Sequence, residues 1–589
     1  MKKRIFSSIW IGLIAFFCLS LVNTSLAAND EVNFFVDPYY DLSSQEQVKG
    51  SFLHESDMAY YYIDTNYLDQ IDDLTRSRIE SIIEDLGEEF DDIIYPKLTD
   101  LFGDVWNPGI DNDPKITIFF SRLINGIGGY FRGLNELSLN QATRSNEREM
   151  IYINTDYIFD SRLNSYVAHE FQHLISYNQK ERKHNVVDDV WLNELRSEYA
   201  PTYLGYDDQD YLNSNLRIRV EKFKKYPSDP LTEWGGKIHD YSSINLLAQY
   251  LTDHYGDDFF RELTRSNKVG IESINIAFER MSIDKTFEDI FADWITACYI
   301  NDLEKTDIYG YRNSHLKNIN VSPTASYELS GNIGIERVAL TKDWSPLWYE
   351  VVSADNSINQ LKLEFAGEAK EGSFRARIIK IDQNENYIVN DWVLDNNEGE
   401  LTISGFGKEI EKVVILPYLS HQANYQTGSI DYNQFSLIIS NQEGVGEIQE
   451  ENAIEVAVEE SNDEQAQTTH FSSLNNGDLV SAMGDYRVYI IKDGYRRHIK
   501  SGEIFNFYGH LNWQVIKEIS SYELSLYEES SLVRASGDKR VYQIDEEGNK
   551  HWLNISGQEF VSSGRKWNAV YVINTTERDF YTETNQILN

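Results

Sequence analysis

The stretch His169-Glu170-Phe171-Gln172-His173 decides how this chain reads, together with the run Val190-Trp191-Leu192-Asn193-Glu194-Leu195-Arg196-Ser197-Glu198 that follows it. On a helix, positions i and i+4 share a face, so His169 and His173 can aim two imidazole nitrogens at one point. That geometry suits a divalent cation such as Zn²⁺, which favours nitrogen donors and leaves a position to water when catalytic. Glu170 projects beside such an ion, where it can take the proton that a bound water gives up. The second run has apolar residues at helical spacing. Glu194 lies 21 positions past His173, far enough for a helix to end, loop and return antiparallel. A carboxylate there completes a His₂Glu set, and Glu198, one turn on, can hold an imidazole N–H from behind. The residues between, Asn178 to Asp189, are polar and charged as a surface loop requires.

The pair of segments resembles the gluzincin zinc metallopeptidases, in which an HExxH helix is followed by an NExxS-D/E helix. Asp111-Asn112-Asp113-Pro114-Lys115-Ile116-Thr117-Ile118-Phe119-Phe120, Gly128-Gly129-Tyr130-Phe131, Met150-Ile151-Tyr152-Ile153-Asn154 and Thr286-Phe287-Glu288-Asp289-Ile290-Phe291-Ala292-Asp293-Trp294 are similar to the hyicolysin family of secreted bacterial metallopeptidases. The resemblance covers about residues 50 to 310. It implies Glu194 as third zinc ligand, a protein or peptide substrate, and a zincin-like domain in which a sheet precedes the active-site helix.

The residues carry a matching framework. Ile116–Ser121 and Glu149–Asn154 are short β-branched and aromatic runs bounded by turn residues, so they read as strands. In this class an edge strand pairs with the substrate backbone; which of the two is the edge is not legible. The glycines Gly126, Gly128 and Gly129 read as a turn and match no nucleotide fingerprint. Further on, Ile244, Leu247, Ala248 and Leu251 keep the spacing of a buried helix face that Gly256 stops, and Thr286 with Asp289 reads as the cap of a last helix. An oxyanion formed at the site needs a donor. Tyr241, in Lys237-Ile238-His239-Asp240-Tyr241, is the first choice and His239 the second, with Tyr166 and Tyr199 also on the two zinc-site helices.

The N-terminus is basic (Lys2, Lys3, Arg4), then apolar from Ile9 to Val22, then carries small residues at Ser25 and Ala27. That is the pattern of a secretory signal peptide cleaved after about Ala27, and it implies a secreted or surface-associated bacterial protein. No later segment reaches the length of a transmembrane span. Of the two cysteines, Cys18 falls in the leader, so Cys298 has no internal disulfide partner and reads as packing. The net charge of −42, deepened by three when the leader is lost, excludes nucleic acid and anionic membrane as primary partners. A sharper reading of the acidity is Ca²⁺ binding, with Asp111 and Asp113 the nearest candidates; the blander one is an Asx turn entering a strand.

The expected fold class is therefore α+β. Residues 28–50 form a leader or a first strand, and 51–310 form the metallopeptidase domain, with a mixed sheet first and a helical second half. Residues 325–440 alternate in short runs such as Leu361-Lys362-Leu363-Glu364-Phe365 and predict a β-sandwich. A linker spans 441–470; Glu443 to Glu464 holds nine acidic residues and no basic or aromatic one, a composition that does not fold. In 471–589, Gly484-Asp485-Tyr486-Arg487-Val488-Tyr489 aligns with Gly537-Asp538-Lys539-Arg540-Val541-Tyr542, giving two repeats of period 53. The pair resembles repeats of secreted and surface proteins of bacteria, which implies a cell-wall or surface-glycan contact. Aromatics such as Trp552 and Tyr542 could stack on sugars, although in a small β unit the core reading is favoured for them. Three functions remain open on sequence: a zinc endopeptidase, a zinc hydrolase of esters or amides, and an inert surface binder.

Overall fold

The computed structural model describes residues 31–330, 334–354, 358–421, 432–441 and 448–450, and most of 477–583. The proposed signal peptide and most of the acidic linker lie outside the described residues. The chain is mixed α/β, with several sheets and a helical region. It divides into two compact units, one up to Gln179 and one from Lys180.

The first unit is built on a six-stranded sheet. Its strands are β1 (Glu31–Phe35), β2 (Gln47–Glu55), β3 (Ala59–Asp64), β4 (Ile116–Ser121), β5 (Gly129–Phe131) and β6 (Met150–Asn154), in the order β1-β2-β3-β4-β6-β5. Residues 31–50, which the sequence left between leader and first strand, thus supply β1 and the start of β2. Strands β3, β4 and β6 run parallel and every residue in them is buried. Parallel strands covered on both faces read as continuous apolar runs, which is why ITIFF and MIYIN are so plain in the sequence. Neither of those two strands is an edge. The edges are β1 and β5; β5, three residues antiparallel to β6, is the one beside α4, and its Gly-Gly start conceals it from any alternation test. A one-turn helix α1 (Thr65–Leu68), then α2 (Asp73–Glu89) and α3 (Tyr95–Phe102), follow β3. Helix α4 (Leu163–Tyr177) carries the HExxH residues and packs on β5 and β6.

The second unit opens with helices. They are α5 (Val190–Leu204), α6 (Tyr206–Gln209), α7 (Asn215–Lys225), α8 (Ile238–Tyr255), α9 (Asp258–Thr264), α10 (Gly270–Arg280) and α11 (Phe287–Ile300). Helices α5 and α7 pack on α8, whose face of Ile244, Leu247, Ala248 and Leu251 is buried. Gly256, at φ 78°, ends α8. A reciprocal cap starts α11: Asp289 N donates to Thr286 Oγ1, and Thr286 N donates to Asp289 Oδ2 at 2.8 Å. Cys298 is fully buried on α11, and burial pushes its thiol up to about 12.

A buried ion cluster ties the start of this unit to α5 and α10. Asp188 lies 2.8 Å from Arg196 Nη1 and 3.3 Å from Lys180 Nζ, with all three side chains at most 3% exposed. Asp188 Oδ1 also accepts the backbone N–H of Gly270 at 2.9 Å. Burial pushes the Lys180 ammonium down to about 8 against the pull of Asp188. Deleting the shared carboxylate leaves two cations in the interior, and breaking such a pair costs about 3–5 kcal/mol. Asp188→Ala is therefore expected to lower the urea midpoint of the helical region sharply, and a midpoint within error of wild type would contradict the cluster's role.

From residue 325 to 450, two five-stranded sheets form a sandwich. One has the order β13-β10-β15-β8-β16 and the other β12-β11-β14-β9-β7. The strands are β7 (Ala325–Leu329), β8 (Gly334–Thr341), β9 (Tyr349–Ser353), β10 (Gln360–Glu368), β11 (Ser373–Ile381), β12 (Tyr387–Trp392), β13 (Glu398–Ser404), β14 (Lys412–Ser420), β15 (Asn433–Ser440) and β16 (Ile448–Glu450). Phe365 and Phe435 from one sheet meet Phe374 and Trp392 from the other in one shared core. The C-terminal region holds two further five-stranded sheets, one in each of the aligned segments. Leu479–Ala482 pairs with Tyr489–Lys492 as Leu532–Ala535 pairs with Tyr542–Ile544. Tyr542 is 1% exposed within a core that draws on both segments; it is not available to stack on a sugar.

Candidate metal centre and the residues around it

Helix α4 places its two histidines where the i, i+4 spacing requires. His169 Nε2 and His173 Nε2 lie 3.2 Å apart, with the rings inclined at 76°. Two nitrogens held about 2.05 Å from one tetrahedral ion stand about 3.3 Å apart, so the pair has the separation a zinc site needs. Both rings are half-buried while Glu170 between them is buried. The carboxylate of Glu170 sits against the edge strand: a Cβ on Gly129 would fall 2.8 Å from Glu170 Cγ and 2.5 Å from the carbonyl oxygen of Tyr152. Only glycine lets β5 come this close. Gly128 is crowded in the same way by Tyr166, whose ring lies against Tyr157 and under Arg162.

Helix α5 carries Glu194 and Glu198 in the second unit, Glu194 half-buried and Glu198 buried. The Glu198 carboxylate accepts a two-pronged pair of hydrogen bonds from Arg219, both at 2.7 Å, and a third from Asn245 Nδ2 at 3.1 Å. Arg219 sits on α7 and Asn245 on α8, so this carboxylate is the knot of the three helices. Sequence reasoning missed Arg219 and Asn245, because partners 21 and 47 residues away leave no local signal.

The start of α8 gathers the expected donor candidates. His239 is buried, with Nε2 at 3.6 Å from Asp229 Oδ1 and 3.9 Å from Asp240 Oδ1. Asp240 is occupied as a helix cap: its Oδ2 accepts the N–H groups of Gly235 and Lys237, each at 2.9 Å. The Tyr241 ring packs edge-on against Trp234 at 4.8 Å and lies under the Arg219 guanidinium at 4.9 Å. Tyr199 is committed elsewhere, stacked on Phe260 with its hydroxyl donating to Asp257 at 2.8 Å.

Among the described residues two groups of side chains could hold a metal ion: His169, His173 and Glu194, and Asp229, His239 and Asp240. In the second, Asp240 is engaged as a helix cap. Asp111 and Asp113 belong to neither group. Asp111 Oδ1 accepts Asp113 N, and Asp113 accepts Lys115 N and the Tyr60 hydroxyl, which is the work of an Asx turn feeding β4.

The chain is similar to a neutral metalloprotease, ShpI of Staphylococcus hyicus. The two are 24% identical over 308 residues, which is 48% of this chain and 67% of that protein. No protein-family profile matches the chain. Two solved structures resemble parts of it. The pre-peptidase C-terminal domain of collagenase from Bacillus anthracis is 16% identical, covers 20% of this chain and 99% of that one, and gives a TM-score of 0.14. PliG of Aeromonas hydrophila, a periplasmic inhibitor of g-type lysozyme, is 12% identical over 20% of this chain and 100% of its own, also at 0.14. Scores this low fix neither fold nor role. No helix among the described residues is long and apolar enough to cross a membrane.

Proposed function

We propose that this chain is a secreted zinc-dependent endopeptidase of the gluzincin kind, with His169, His173 and Glu194 holding the ion. The observation that carries the reading is the pair of imidazole nitrogens 3.2 Å apart on one face of α4, with a buried glutamate between them. The likeness to a neutral metalloprotease supports a metal-dependent attack on peptide bonds. A zinc ion bound there supplies a Lewis acid that acidifies water and polarises a carbonyl.

The chain's own residues do the rest. Glu170 accepts the proton of the attacking water on its carboxylate and returns it to the leaving amine. Strand β5 offers its free edge to an extended peptide, so that substrate adds to the sheet beside Glu170. His239, with Asp229 3.6 Å from its Nε2, is the oxyanion donor we assign ahead of Tyr241, whose ring is held between Trp234 and Arg219. Glu198, clasped by Arg219 and Asn245, fixes α5 so that Glu194 stays in place.

The test is metal removal. A chelator should abolish casein hydrolysis by the purified chain, and zinc added back at one equivalent should restore it. A panel of small esters and amides run in parallel separates peptidase from another zinc hydrolase. Stoichiometric zinc with no protein hydrolysed would remove the endopeptidase reading and favour that hydrolase or an inert binder.

A further inference from the structure

Residues 226–237 (Tyr-Pro-Ser-Asp-Pro-Leu-Thr-Glu-Trp-Gly-Gly-Lys) join α7 to α8 without helix or strand, yet Leu231 and Thr232 are each only 1% exposed. A stretch without regular structure that is nevertheless buried needs its backbone groups satisfied from elsewhere. Here the partners come from the connection between β8 and β9 of the sandwich. Ser345 Oγ donates to Ser228 O at 2.8 Å, and Leu231 N donates to Trp344 O at 3.1 Å. Lys342 Nζ holds both oxygens of Glu233, at 2.8 and 2.6 Å, with both side chains largely buried.

The two backbone anchors bracket Asp229, the carboxylate that faces His239. The connection is itself held rigidly. Trp344 takes a positive φ of 55°, a conformation that a bulky residue adopts only when its surroundings compel it. Its ring is packed by Phe287 and Phe291 of α11 and by Tyr418, and its Nε1 donates to His421 O at 2.8 Å. Trp348 Nε1 donates to Ile295 O, and Arg377 meets Asp293 at 2.7 Å in the same buried seam.

We propose that the sandwich domain is a positioning clamp for the reaction, with Lys342, Trp344 and Ser345 as positioning residues. They fix the 226–237 segment and through it the Asp229–His239 pair. This rests on the assignment of that pair to the peptidase site.

The test uses the full chain and three variants, Lys342→Met, Ser345→Ala and Lys342→Arg. Four quantities are read: kcat and KM on a peptide substrate, bound zinc, thermal midpoint, and amide hydrogen exchange across 226–237. Lys342→Met and Ser345→Ala should speed exchange in that segment and lower kcat on the order of tenfold. KM, zinc content and thermal midpoint should stay close to wild type, and Lys342→Arg should recover most of kcat. Unchanged exchange in both variants overturns the clamp, and faster exchange with unchanged kcat overturns its part in the reaction. A kcat loss that follows zinc loss or melting, with no rescue by arginine, reduces the contacts to structural ones. An inactive wild-type chain defeats the peptidase reading instead, while the exchange data still report on the clamp.

Discussion

Glu170→Gln should leave bound zinc near one equivalent and lower casein hydrolysis by about 10³-fold, within the range that loss of a general base produces. Glutamine keeps the size and one carbonyl oxygen, so the packing against β5 survives; what goes is the basic oxygen. The structure makes this substitution a clean one. Glu170 is buried on α4, and the nearest strand meets it through a glycine, Gly129, whose missing Cβ leaves room for Cγ and Oε1. The two histidines face each other from positions one residue before and three after, so their mutual geometry does not pass through residue 170. Metal analysis and an initial-rate assay on the same preparation measure both halves of the expectation. Equal activity in the variant would take the proton transfer away from Glu170. Loss of zinc along with activity would mean that the carboxylate serves the ion rather than the water.

Much of the framework could be read from residues alone, for physical reasons that differ by element. The α4 face was legible because a helix repeats every 3.6 residues and four positions bring His169 to His173. Strands β4 and β6 were legible because interior parallel strands are apolar on both faces, and the cap at Thr286 because its partner lies three residues away. Sandwich strands such as Gln360–Glu368 showed the alternation of a half-buried sheet, although the fully buried Val413–Leu419 gives only an apolar run.

What escaped the sequence depends on contacts across the chain or on backbone without period. Strand β5 has three residues and begins on a glycine, so it carries no alternation, and the glycines around it read as a turn. Arg219 reaches Glu198 from another helix, and nothing in RIRVEK marks the one cation that is drawn inward. The 226–237 segment looks like an ordinary loop, rich in proline and glycine; the contacts that hold it come from Lys342, Trp344 and Ser345, more than a hundred positions later. Tyr241 and His239 are both legible as donor candidates; what the sequence does not show is that the carboxylate of Asp229, ten residues upstream, lies 3.6 Å from His239.

The largest effect of all is expected at Glu194. The proposed ion is shared by three side chains from two separate helices, α4 and α5, and two imidazoles alone are a weaker site by far. In Glu194→Ala, zinc measured on the purified, desalted protein should fall well below one equivalent and peptide hydrolysis should disappear with it. Glu194→Asp, one methylene shorter, should fall between the two. Zinc at one equivalent and unchanged turnover in Glu194→Ala would contradict the shared site and the peptidase mechanism built on it.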